Sequence, residues 1–93
     1  MNAKVNITNR AGASFPVRRM QFDFDSVPEY WMNESVGLTH FMTAMSALFP
    51  AGEKFFIDSV RAVRQHPAIK DNENLQKEIS AFIGQEAMHT HEH

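Results

Sequence analysis

Residues 75–93 constrain this chain more than any other part of it. On a helix of about 3.6 residues per turn, Leu75, Ile79, Phe82, Ile83, Glu86, His89 and His93 fall on one stripe. The apolar face therefore continues into a carboxylate and two imidazoles. Ionisable groups are costly to bury unless they are paired or metal-bound, so this change of character needs a partner. A metal ion is the simplest one. Glu86 and His89 stand one turn apart in Glu-x-x-His spacing, the arrangement that carboxylate-bridged two-metal helix bundles use. His93, one further turn along, is a third candidate donor on this helix, whereas His91 and Glu92 point off the stripe and read as solvated. A lone Glu-x-x-His also arises by chance, and on spacing alone an ordinary helix face remains the simpler account.

The donor types limit the ion. The chain has no Cys, which excludes disulfides, thiolate zinc sites and cysteine nucleophiles. Oxygen and imidazole donors suit divalent iron, zinc or manganese. A length of 93 residues makes one small domain with much of its surface exposed, too small for a large enclosed cavity in a single copy. Hydrophobic residues at 43%, with eight Phe and six Met, point to a globular helical protein instead of a disordered one. The net charge of -2 gives no electrostatic case for nucleic acid or an anionic membrane. Residues 1–14 lack the apolar core of a signal peptide, and no apolar run approaches the length of a membrane span. A cytoplasmic location is the default expectation. Gly-x-Ser-x-Gly, a Gly-rich phosphate loop and His-Glu-x-x-His are all absent, so none of those chemistries has its motif.

Taken in order, residues 1–14 carry Asn, Gly and Ser with little periodicity and read as a flexible, irregular N-terminal arm. Residues 15–24 alternate in part, through Val17, Met20, Phe22 and Phe24, and predict a short extended segment across a helical body. Arg18-Arg19 interrupts that alternation; the pair fits a solvated surface or an acidic ligand. Asp25-Ser26-Val27-Pro28 reads as the start of a short helix bearing Tyr30 and Trp31. From Leu38, an inward stripe of Leu38, Phe41, Met42, Met45, Leu48 and Phe49 predicts a helix, with His40 off the stripe at the surface. Pro50-Ala51-Gly52 marks a break, and a new helix over residues 53–66 follows, with Phe56, Ile57, Val60 and Val63 inward. Glu53 shares that inward side. It is either a first-turn carboxylate favoured by the helix dipole or the bridging carboxylate that a Glu-x-x-His helix needs from its neighbour. Arg64 on the same side either pairs with an acidic group or extends to the surface. Asp71 or Asn72 caps the final helix, and Gly84 within it leaves room for another helix to come close.

Two separated blocks, Phe49-Pro50-Ala51-Gly52-Glu53-Lys54-Phe55-Phe56-Ile57-Asp58-Ser59-Val60-Arg61 and Phe82-Ile83-Gly84-Gln85-Glu86-Ala87-Met88-His89, resemble the predicted metal-dependent hydrolase family of bacteria. Phe15-Pro16-Val17-Arg18-Arg19 and Leu38-Thr39-His40-Phe41 resemble its N-terminal portion. The resemblance implies a ferritin-like fold, a metal centre with Glu53, Glu86 and His89 as ligands and His93 beside them, and a longer protein whose second half supplies another Glu and another Glu-x-x-His. Residues 15–93 are then the N-terminal part of a ferritin-like metal-binding domain, truncated after 93. The expected fold is all-α: half of a ferritin-like helical bundle, about three main helices behind the irregular arm.

The expected function is a metal-dependent hydrolase acting on a small-molecule substrate, with a two-metal carboxylate and histidine centre that activates water. The alternatives are a di-iron protein that activates oxygen and a non-catalytic helical fragment or interaction module. Two copies paired as a homodimer would complete the bundle, each giving one Glu and one Glu-x-x-His.

Overall fold

In the computed structural model, which describes residues 3–93, four elements follow in chain order: β1 (Ala3–Thr8), β2 (Val17–Phe22), α1 (Val36–Val63) and α2 (Glu73–Glu92). Each helix starts at a side-chain cap. Ser35 Oγ accepts from the Leu38 N–H at 3.2 Å and Asn72 Oδ1 from the Leu75 N–H at 3.0 Å, each satisfying a donor that the helix start leaves open. Asn72 was expected from the sequence and Ser35 was not. The predicted helix start at Asp25 to Pro28 leads into turns, because Asn33 and Glu34 take left-handed φ values of 51° and 58° that no right-handed helix can contain. Those turns are tied to α1: the Trp31 indole N–H donates to Thr43 Oγ1 and the Met32 N–H to Thr39 Oγ1.

The expected break at Pro50-Ala51-Gly52 does not occur either. Helix α1 runs through all three residues. Proline removes one hydrogen bond to the preceding turn, but its fixed φ is already helical, so the remaining bonds carry the helix across. Two of the three expected main helices are therefore one, the last is α2, the short helix expected after Asp25 is absent, and with two strands present the fold is not all-α. Strands β1 and β2 pair antiparallel, from Ala3 opposite Phe22 to Thr8 opposite Val17, where the sequence suggested an irregular arm. Val5 and Ile7 alternate with Lys4, Asn6 and Thr8, a period-two signal in the sequence itself. A β-hairpin packed on α2 also replaces the expected half of a ferritin-like bundle: the element docked on α2 besides α1 is a sheet and not another helix.

Polar clamps hold these layers together. The Gln85 side-chain amide reads the Arg18 backbone from both sides, with the Arg18 N–H donating to Oε1 at 2.9 Å and Nε2 donating to the Arg18 carbonyl at 3.0 Å. Both Glu78 carboxylate oxygens accept from Ser14, one from its N–H and one from its hydroxyl. Gly84 lets β2 come this close, since a Cβ there would lie 3.2 Å from Val17 Cγ2; the close neighbour is a strand, not the expected helix. At the other end Arg64 donates to Gln76 Oε1 and Ser80 Oγ, while Gln76 Nε2 donates back to the Arg64 carbonyl. That exchange closes α1 onto α2.

The molecule measures 51 × 24 × 14 Å, a slab too thin to cover both faces of a helix. The stripe on α1 that the sequence suggested would face inward is consequently open to solvent in large part, with Phe41 61% and Leu48 66% exposed. Among the described residues, the buried apolar side chains are Ala13, Ile79 and Ala81. No helix among those residues is long and apolar enough to cross a membrane.

Because Gly84 sits under Val17, Gly84→Leu would force a side chain into the hairpin contact. We expect a loss of about 1–3 kcal/mol in urea unfolding, with α2 helicity retained in far-UV circular dichroism. An unchanged unfolding midpoint would show that the hairpin contributes nothing to stability.

Candidate metal centre

Helices α1 and α2 run antiparallel, as their paired residues show: Ser46 meets His93, Glu53 meets Thr90, and Arg64 meets Ser80. This register sets Glu53 against the last turns of α2, where it is only 8% exposed. Glu53 Oε2 lies 2.8 Å from Thr90 Oγ1, and the same hydroxyl lies 3.1 Å from the Glu86 carbonyl. A threonine hydroxyl has one hydrogen, so the two oxygens share it. On α2, His89 Nδ1 lies 3.4 Å from Glu86 Oε2. One donor atom each from Glu53, Glu86 and His89 falls within 4.8 Å of the other two.

The sequence suggested four ligands. The structure brings Glu53, Glu86 and His89 into one group, and sets His93 beside Glu53, with Nε2 3.6 Å from Glu53 Oε1 and Nδ1 2.9 Å from Ser46 Oγ. His40 is exposed and edge-on to Tyr30, at the surface as expected. Arg64 is used in the helix clamp, at hydrogen-bond distance from Gln76 and Ser80.

The donor set suits a hard to borderline dication. Two carboxylates share the site, and among the described residues neither pairs with Lys or Arg. Lys54, next to Glu53 in the chain, turns outward to Asp58. Two adjacent carboxylates repel in a partly desolvated site unless a cation lies between them. Metal–ligand distances of about 2.1 Å subtending a tetrahedral angle place donors about 3.4 Å apart. The Glu86–His89 pair already has that spacing, at 3.4 Å.

Thr90 and Ser46 were not singled out from the sequence. Thr90 is one turn beyond Glu86, and Ser46 lies two turns before Glu53 on the same side of α1. A polar residue at helical spacing from a suspected ligand was the available signal.

The family model described as predicted metal-dependent hydrolase matches residues 16–93. No curated protein and no solved structure matches the chain.

Replacing Glu86 by Gln keeps a hydrogen-bond acceptor and removes one of the two neighbouring charges. In chelator, Glu86→Gln is expected to unfold at a higher urea midpoint, by about 0.5–1 kcal/mol. A lower midpoint would mean that the two carboxylates do not repel each other in the metal-free protein.

Proposed function

The chain belongs to the predicted metal-dependent hydrolase family, and from that premise we propose that Glu53, Glu86 and His89 hold a divalent cation at which a small-molecule substrate is hydrolysed. The observation that carries this reading is the convergence of three donors from two helices within 4.8 Å. Bound there, the ion supplies Lewis acidity and lowers the pKa of a coordinated water towards neutrality. The chain does the rest. Glu53 and Glu86 neutralise the ion, and the hydrogen bond to Thr90 fixes the direction of the Glu53 carboxylate. His89, half exposed, leaves one side of the centre open to substrate. An apolar groove of about 520 Å³, lined in part by Pro50, Ala51, Ile57 and Ala87, reaches Thr90 and offers a surface for the unreactive part of a small molecule.

A homodimer belongs to the same proposal. Phe49 and Phe56 flank Glu53 on α1 and are 45% and 49% exposed, so a second copy laid on this face would cover the edge of the site. It would also add the second Glu and Glu-x-x-His that a two-metal centre requires.

Two measurements test this. Protein stripped with chelator and reloaded with Zn(II), Mn(II) or Fe(II) should hydrolyse at least one of p-nitrophenyl acetate and bis-p-nitrophenyl phosphate, and Glu53→Gln, Glu86→Gln and His89→Ala should each lower kcat/KM by about 100-fold or more. If equilibrium dialysis finds none of these ions retained, the reading is wrong. Light scattering on a size-exclusion column should give twice the chain mass of 10.6 kDa; a monomer with and without metal would refute the dimer.

A further inference from the structure

We propose that the cleft between the hairpin and α2 binds a small phosphate ester, held by Arg10 and Arg19. The site stands apart from the metal reading above. Strand geometry builds it: consecutive strand residues point to opposite faces, and directly opposite residues of paired strands share a face. Asn6 stands opposite Arg19 and Thr8 opposite Val17, so these four side chains lie on one face of the hairpin while Arg18 goes to the other. The Arg18-Arg19 pair that interrupts the alternation is thereby split between two surfaces. Arg19 shares the face whose Val17 is pressed against Gly84 of α2, where an added Cβ would come within 3.2 Å.

The result is an open cleft of about 340 Å³ whose polar wall is Asn6, Thr8, Arg10 and Arg19 and whose floor includes Val17 and Met88. No acidic residue lines it. Among the described residues neither arginine pairs with Asp or Glu, whereas Lys54 and Arg61 both reach Asp58. In a chain of net charge -2, two guanidiniums without a counter-ion in one cleft are a local surplus that an anion offsets. Guanidinium forks match phosphate oxygens bidentately, and the Asn6 amide and Thr8 hydroxyl add neutral donors. A phosphate group fills only part of this volume, and the remaining wall is apolar, so the ligand carries an apolar group as well. Ala87 lines both this cleft and the apolar groove of about 520 Å³ between the helices, so apolar surface continues past that small side chain.

Titration of the chelator-treated full chain with phenyl phosphate, followed by calorimetry and amide NMR shifts, is the test. Wild-type protein should bind with a Kd of about 1 mM or tighter, with the largest shifts around Thr8, Arg19 and Met88. Inorganic phosphate should bind at least about fivefold more weakly, because it leaves the apolar floor uncovered; equal affinity would overturn the phosphate ester as ligand. Arg10→Gln and Arg19→Gln should each weaken binding by about tenfold, and Arg19→Lys by less. Arg18→Gln removes the same charge one residue away on the opposite face and should leave the Kd unchanged; an equal loss there would reduce the effect to net charge and overturn the site. Should Arg19→Gln fail to fold by far-UV circular dichroism, Arg10→Gln, outside both strands, still decides. Binding to phosphatidic acid vesicles without binding to phenyl phosphate would assign the arginines to a lipid surface and overturn the small ligand. Absence of phenyl phosphate binding would remove this site and leave the metal reading as it stands.

Discussion

The constraint on which the rest depends is the burial of Glu53 against α2 with, among the described residues, no Lys or Arg paired to it. A carboxylate withdrawn from water costs several kcal/mol unless hydrogen bonds or positive charge replace its hydration. Among the described residues the replacement comes from α2, as the hydrogen bond from the Thr90 hydroxyl, with the His93 imidazole 3.6 Å away. Both lie near the end of that helix, so Glu53 is satisfied only when α2 is helical to its last turn and correctly in register with α1. The clamp of Arg64, Gln76 and Ser80 at the opposite end sets that register. The hairpin side holds α2 through Gln85 and Glu78, and Arg18 and Met20 of β2 line a pocket with His89. Three polar fastenings thus align one carboxylate.

This reliance on polar fastening follows from shape. A slab 14 Å thick gives each helix a single layer of neighbours, and among the described residues no large side chain is fully enclosed. Burying a large apolar side chain contributes about 1.5–3 kcal/mol, so side chains left half exposed along α1 forgo a good part of that. Phe41, Leu48 and Phe55 are each more than 60% exposed, and they lie on one long helix. Contiguous apolar surface of this kind is what an interface presents. In the dimer proposed above, a second copy would cover the surface that this thin geometry leaves open.

The grouping of Glu53, Glu86 and His89 was legible in the sequence because its signal is local. Glu86 and His89 interrupt an apolar stripe at helical spacing, and Glu53 sits on the inward side of its own helix; both facts need only the period of an α-helix. The Asn72 cap was legible for the same reason. What failed were judgements where a local rule met a tertiary one. Pro50 reads as a stop, yet α1 continues, since the packed helix tolerates one lost bond. Asp25-Ser26-Val27-Pro28 is a sound cap signal, but left-handed Asn33 and Glu34 end any such run, and side-chain hydroxyls of α1 take over its backbone and indole donors. Strand β1 was missed through its shortness: the alternation of Val5 and Ile7 with polar neighbours means little until a partner strand is present. Thr90 and Ser46 could not be weighed before the register of the two helices was known.

The two carboxylate–imidazole pairs differ in what they require of the chain. Glu86 and His89 are one turn apart on α2, so any conformation with that helix formed presents them together. Glu53 and His93 meet only when the helical hairpin is closed. An ion held by Glu53, Glu86 and His89, as proposed above, would bind the closed hairpin more tightly than the open one, and by linkage its binding free energy would add to the stability of closure. In a domain with so little enclosed apolar surface that contribution is a large fraction of the total, since small domains are stable by only about 5–15 kcal/mol. A core of Leu in place of Glu53 and Glu86 would hold the helices together by apolar burial, and would lack the carboxylates that the proposed centre needs.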